Sequence, residues 1–233
     1  MSYLPDTPKT KILNTLSYLP HPFCRTFHRK LRRAFMKRAQ LEYEATLAAL
    51  KPGDFVLDLG ANYGEFTRAF AEKGATVHAF EPDPVTFEIL RKNCADLKNV
   101  HLYQQAVSDQ AGMFQLTRMH PRRGQGHAQT SQGSSIVFDN KKMDKGDTVD
   151  VEVIDLLAFL RGLKKKPKLI KMDIEGAEWT ILQAIYAQDA LDLFDALFVE
   201  THERIDWSKL PLLRELRTRA ASHREPRINL FWV

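Results

Sequence analysis

The feature that most constrains the fold is a five-residue, mostly apolar run, Phe55-Val56-Leu57-Asp58-Leu59, closed on one side by Pro52-Gly53-Asp54 and on the other by Gly60. Five residues between turn formers suffice for a buried strand and are too few for a helix. Helical periodicity returns over residues 65–72, a turn follows at Lys73-Gly74, and residues 76–80 form a second short segment ending in Glu81-Pro82. Strand, helix and strand joined this tightly make a βαβ unit, whose strands lie parallel.

The alternation continues down the chain. Helices are predicted over residues 84–96, 177–186 and 210–221, and strands over 100–103, 169–172, 196–200 and 228–233. Period-2 patterns at 113–118 and 147–153 predict two further strands outside the alternation, enclosing a polar stretch at 119–146. A loop of that length in a compact domain is either functional or disordered. Its residues 120–139, with Gly133-Ser134-Ser135 and the basic Arg122, Arg123 and His127, are a candidate cover for an acidic or hydroxylated acceptor. The expected architecture is α/β, a Rossmann-like and mostly parallel sheet with helices on both faces.

A chain of 233 residues favours one such domain, here residues 51–233, preceded by an N-terminal basic helical extension, residues 1–50. Much of the net charge of +5 sits in that extension, where Arg25, Arg29, Lys30, Arg32, Arg33, Lys37 and Arg38 accompany Phe23, Phe27, Leu31 and Phe35 at helical i+4 spacing. A second helical stretch is predicted at 39–50. The first reading of the basic helix is an apolar stripe packed on the domain. The other is peripheral contact with an anionic surface, whether membrane, glycolipid or nucleic acid. Nucleic acid is the weakest, because the aromatic side chains repeat as one face and do not interleave with arginines as base-stacking platforms. No apolar run reaches the roughly 18 residues of a membrane span, so a soluble, cytoplasmic protein is expected. Cys24 and Cys94 have neither zinc-site nor disulfide-framework spacing.

Ligands of open α/β sheets bind at the C-terminal strand ends, where strand order switches. The first such end is Asp58-Leu59-Gly60-Ala61-Asn62-Tyr63-Gly64, with Gly60 and Gly64 permitting a sharp turn and close ligand approach, and the next helix offering its N-terminal amides. The second end places Glu81 where a carboxylate accepts both hydroxyls of a ribose. The dinucleotide fingerprint G-x-G-x-x-G fails, since Asn62 and Glu65 stand where its second and third glycines belong. An acidic Asp58 before the turn suits instead a ligand with an ammonium and a sulfonium.

Pro52-Gly53-Asp54 leading into Asp58-Leu59-Gly60-Ala61-Asn62, then Phe80-Glu81-Pro82, Ala106-Val107-Ser108-Asp109 and Lys171-Met172-Asp173-Ile174-Glu175-Gly176-Ala177-Glu178 resemble, in order, the signature of the FkbM family of methyltransferases. The resemblance covers roughly residues 43–203 and leaves the basic helix outside it. It implies a class I methyltransferase fold, S-adenosylmethionine as cofactor, and O-methylation of a hydroxyl on a sugar, glycan or small natural product. It also implies that Asp58, Gly60, Asn62 and Gly64 surround the methionine part, Glu81 the ribose, and Ala106, Val107 and Asp109 the adenine. Such folds often end in a strand hairpin, of which one strand, 228–233, is legible here.

Methyl transfer to an alcohol needs an aligned nucleophile and a proton acceptor. Asp173 and Glu175 at the fourth main strand end, and His202 beyond the fifth, are the candidate catalytic residues, with His202 attractive as a neutral imidazole near pH 7. Asp173, Glu200 and His202 are also hard-metal ligand types, but no dedicated ligand spacing is present and no metal is expected. Two rival functions remain: a non-catalytic S-adenosylmethionine-binding partner or sensor, and an NAD-dependent oxidoreductase, the latter disfavoured by Asn62 and Glu65.

Overall fold

The computed structural model describes residues 6–19, 23–118, 148–203 and 206–232. The candidate cover at 120–139, with Arg122, Arg123 and His127, lies outside the described residues. Six parallel strands form the main sheet: β1 (Phe55–Leu59), β2 (Thr76–Phe80), β3 (Val100–Tyr103), β7 (Leu169–Met172), β8 (Ala196–Val199) and β9 (Arg227–Asn229). Their order is β3-β2-β1-β7-β8-β9, so the chain winds outward from β1 in one direction and from β7 in the other. The switch point lies between β1 and β7, where Asp58 stands beside Lys171 and Leu59 beside Met172. A separate sheet holds β4 (Ala106–Ser108), β6 (Thr148–Asp155) and β5 (Gly112–Thr117), in the order β4-β6-β5.

Alternation along the strands divides the core into two layers. Phe55, Leu57, Leu59, Ile170, Met172, Leu197 and Val199 face one side, against Leu156, Leu157 and Leu160 of α5 (Leu156–Gly162), Trp179 and Ile181 of α6 (Glu178–Ala187) and Leu213 and Leu216 of α7 (Leu210–Ser222). Val56, Val77, Ala79, Leu169 and Phe198 face the other. There they meet Tyr43 of α2 (Phe23–Ala48), Phe70 of α3 (Glu65–Glu72) and Leu90 of α4 (Pro84–Asn93). A sheet buried on both faces explains why its strands read as apolar runs.

Three elements differ from expectation. The two predicted N-terminal helices are one, α2, since no Gly or Pro interrupts residues 23–48, and it is preceded by α1 (Pro8–Leu16). In α1, Thr7 and Thr10 cap reciprocally, the Thr7 hydroxyl accepting from the Thr10 amide at 3.1 Å. The stripe of α2 is partly buried, with Leu31 and Phe35 inside and Phe35 against Phe231, while Phe23 faces solvent. Helix α5 follows β6 without a loop; Asp155 caps it by accepting from the Ala158 amide, and its all-round apolar sequence hides the helical period. At the far edge, β9 pairs with β8 in parallel through α7, and no hairpin partner for it occurs among the described residues.

Candidate functional site

The turn after β1 is shaped by contacts to its own neighbours. The amides of Gly60 and Ala61 donate to the Phe80 carbonyl, and Asn62 adopts φ 49°, a left-handed conformation that Asn tolerates better than most residues. Gly60 has φ +76°, and a Cβ there would sit 1.8 Å from the Asp173 carbonyl oxygen. A Cβ on Gly64 would meet Leu90 and Cys94 of α4 at 2.7 and 2.9 Å. The two glycines therefore let β7 and α4 close on the turn.

Asp58 is held by groups of the protein. It is fully buried; its carboxylate accepts from the Thr67 hydroxyl at 2.6 Å and lies 3.2 Å from the Lys171 ammonium. Lys171 also donates to the Gly60 carbonyl at 2.6 Å. Burial works against its charge, but Asp58, Asp173 and Glu81 outweigh it and hold the amine above its ordinary value. A cross-strand ion pair thus occupies the switch point, and Asp58 has a cation from within the protein. Ion-paired through one oxygen and hydrogen-bonded through the other, it braces the turn.

Glu81 ends β2 just below that turn. One carboxyl oxygen accepts from the Asn62 amide and the other from the Asp83 amide, both at 3.0 Å. Burial pushes this carboxyl up to about 7 despite those donors. Each oxygen keeps a lone pair for a further donor, the chemistry that two vicinal hydroxyls require. Asp83 accepts from Val85 and Thr86 to start α4, and its other oxygen meets Arg118 at 2.5 Å. Ala106 and Val107 are buried, Val107 in the main core and Ala106 in the small sheet, so the polar groups of this segment are its backbone and the half-buried Asp109, which accepts from Ser108.

The structure brings Asp173, Glu175 and His202 together. His202 Nε2 lies 3.2 Å from Glu175 and 3.7 Å from Asp173, while Nδ1 donates to Glu178 at 3.1 Å. Glu178, wholly buried at the start of α6, also accepts from the amides of His202 and Gly176, at 3.0 and 2.6 Å. Glu175 is held at φ 51° in the turn between β7 and α6. Burial alone would lower the His202 imidazole, but Glu178, with Glu175 and Asp173 behind it, pushes it up to about 9. Burial likewise lifts Glu175 to about 7. The neutral imidazole expected near pH 7 is thereby corrected to an imidazolium among carboxylates.

Ligand atoms of Asp173, Glu175 and His202 lie within 4.8 Å of one another, so among the described residues this set, with Glu175 where Glu200 was considered, is the one that could hold a divalent ion. In the structure Nε2 of His202 itself faces those carboxylates. Sequence reasoning assigned Glu178 no role, although its place at the start of α6, one turn from Asp173, was a usable signal. It also missed Glu203, buried and bonded to His28 of α2 at 3.1 Å, because that contact joins positions 175 residues apart.

Comparison with known proteins bears on this arrangement. The "31-O-demethyl-FK506 methyltransferase FkbM" of Streptomyces tacrolimicus is 49% identical over 72 residues, 29% of this chain and 27% of that protein. "Methyltransferase 1" of Beauveria bassiana is 29% identical over 167 residues, 66% of this chain and 67% of that one. The "2-O-methyltransferase NoeI" of Sinorhizobium fredii is 29% identical over 143 residues, 57% of each. The matched stretch thus spans about a quarter of the first relative and roughly three-fifths to two-thirds of the others. The family description "Methyltransferase FkbM domain" matches residues 58–223, a span that begins at the buried Asp58 and encloses the switch point, Glu81 and the Asp173–Glu175–His202 cluster, and the chain belongs to the FkbM methyltransferase family.

Proposed function

We propose that this chain is an S-adenosylmethionine-dependent O-methyltransferase of the class I type, acting on a hydroxyl of a sugar, glycan or small natural product. The observation that carries the proposal is a carboxylate pair, Asp173 and Glu175, set around the imidazolium of His202 beside the switch point, with Glu175 at about 7. The printed names of two relatives describe O-methylation, of a demethylated FK506 and at a 2-hydroxyl, which supports oxygen as the accepting atom here.

S-adenosylmethionine, when bound, supplies an electrophilic methyl group. Glu81 would accept hydrogen bonds from the ribose hydroxyls, the turn at residues 60–64 would hold the amino-acid end, and Ala106, Val107 and Asp109 would border the base. Glu175 takes the proton of the acceptor hydroxyl; a carboxylate near 7 is far better matched to this work than one near 4.5. Asp173 accepts from the same hydroxyl or its neighbour and orients it. His202 is a positioning residue: its imidazolium, fixed by Glu178, holds both carboxylates in place.

The pH profile tests this assignment. Glu175 must be ionised to accept a proton, so turnover rises with pH through about 7. In Glu175→Gln that rise is lost and kcat falls by roughly 100-fold or more, while cofactor affinity stays within about two-fold of the parent, given a role in the acceptor step alone. A Gln variant with unchanged turnover and profile would assign the base elsewhere. Binding of the cofactor without transfer to any hydroxylated acceptor would favour the sensor reading.

A further inference from the structure

We infer that α1 and the first turns of α2 dock on an anionic bilayer surface, presenting the strand-end site to hydroxyls on lipid-borne acceptors. The docking stands on its own observations; the lipid-borne acceptor rests on the methyl-transfer reading above.

The first observation is charge. Between Asp6 and Glu42 there is no Asp or Glu, and nine Lys or Arg occur there: Lys9, Lys11, Arg25, Arg29, Lys30, Arg32, Arg33, Lys37 and Arg38. The chain as a whole carries a net +5, so the residues outside this stretch sum to a net negative charge and the formal positive excess lies here. Arg32 is buried against Glu203, whereas Lys9, Lys11, Arg29, Lys30 and Arg33 are exposed.

The second observation is apolar exposure at the same place. Ile12, Tyr18, Leu19 and Phe23 are 60%, 60%, 41% and 65% exposed; the other exposed large apolar residues among those described, Leu41, Val85 and Met113, are scattered elsewhere. Four exposed large apolar side chains between residues 12 and 23 are what an interaction surface offers. The end of α1 is held to the domain, because Arg214 of α7 donates to the Ser17 carbonyl and its guanidinium lies 4.0 Å from the Tyr18 ring centre.

Aliphatic and aromatic side chains ringed by lysines and arginines match an acidic headgroup layer over hydrocarbon. Nucleic acid would leave Ile12 and Leu19 without a suitable partner, and a symmetric contact between two copies would press two strongly positive patches together. The start of α2 also lies on the functional end of the molecule. One turn into α2, His28 bonds to Glu203, the residue after His202, so a bilayer under these turns lies beside the strand ends. No described helix is long and apolar enough to cross a membrane.

Vesicle sedimentation of the full chain, without cofactor or acceptor, tests the docking. At about 0.1 M salt the protein should sediment with vesicles of phosphatidylcholine and phosphatidylglycerol at about 3:1, remain in solution with phosphatidylcholine alone, and be released at about 0.5 M salt. The double variant Leu19→Glu/Phe23→Glu and the triple variant Arg29→Glu/Lys30→Glu/Arg33→Glu should each weaken partitioning by about ten-fold or more. Melting curves unchanged from the parent exclude misfolding as the cause. Equal binding to both vesicle types, no binding to either, variants that bind like the parent, or sedimentation equilibrium showing a dimer dissolved by Phe23→Glu would each overturn the docking. Absence of methyl transfer with vesicle binding intact would remove the lipid-borne acceptor and leave the docking standing.

Discussion

At the scale of single residues, two glycines in the same left-handed region separate backbone strain from steric contact. A Cβ on Gly53, at φ +85°, would meet nothing within 4 Å, whereas one on Gly60, at φ +76°, would face the Asp173 carbonyl at 1.8 Å. Gly53→Ala should therefore cost only about 1 kcal/mol, the strain alone. Gly60→Ala should cost roughly 3 kcal/mol or more, because β7 must also move away from β1. Urea unfolding of the two variants measures the difference, and equal costs would mean that the turn yields without disturbing the switch point. Both glycines were visible in the sequence as turn residues. What Gly60 touches was not, since Asp173 lies more than a hundred positions away. The same distance concealed the pairing of Asp58 with Lys171, and with it the reason an acid precedes this turn. His202 was legible as a candidate but not in its charge, which depends on the buried Glu178.

Among elements, those that bury one strand of the parallel sheet or one regular helical stripe could be read directly. Residues 65–72 and 169–172 form the helix α3 and the strand β7 as expected. Elements whose pattern is uniform could not: α5 is apolar all round, and α2 shows no punctuation at which one predicted helix ends and the next begins. Helix α2 is bound to the sheet at both its ends, by Tyr43 among Phe66, Phe70, Phe198 and Trp232, and by His28 and Arg32 at Glu203. Burial alone would raise the Glu203 carboxyl, but the His28 hydrogen bond and the Arg217 and Arg32 charges hold it down to about 2. A depressed acid stabilises the fold above its unfolded value of about 4.5 and loses that contribution as pH falls toward about 2. Glu203→Ala should cost about 3 kcal/mol or more by removing the buried carboxylate that His28, Arg32 and Arg217 face, and should flatten the acid limb of the stability curve. Hydrogen exchange should show the first turns of α2 opening before β1 and β7; uniform loss of protection would mean that Glu203 supports the whole core and not this attachment.

On the scale of the whole molecule, the chain divides its work between two ends of one scaffold feature. The parallel sheet changes direction between β1 and β7, and that junction gathers Asp58, Lys171, the Gly60 turn and Asp173, with Glu81 one strand away and His202 one strand beyond. The sheet could be foreseen from alternating apolar runs; its far edge could not, because three residues of β9 hold little periodicity and its parallel pairing depends on α7 crossing back. Charge asymmetry adds a direction to this scaffold, with the basic extension reaching the same end through Glu203. We propose that the strand ends at this junction take a sulfur nucleoside, held by Glu81. Calorimetric titration of S-adenosylhomocysteine and of NAD into the parent chain and Glu81→Ala measures it most directly. Binding of the sulfur nucleoside in preference to NAD is expected, with affinity reduced roughly 10- to 100-fold in Glu81→Ala through loss of hydrogen bonds to a charged group. Tighter binding of NAD, or an affinity for S-adenosylhomocysteine that does not change when Glu81 is removed, would contradict it.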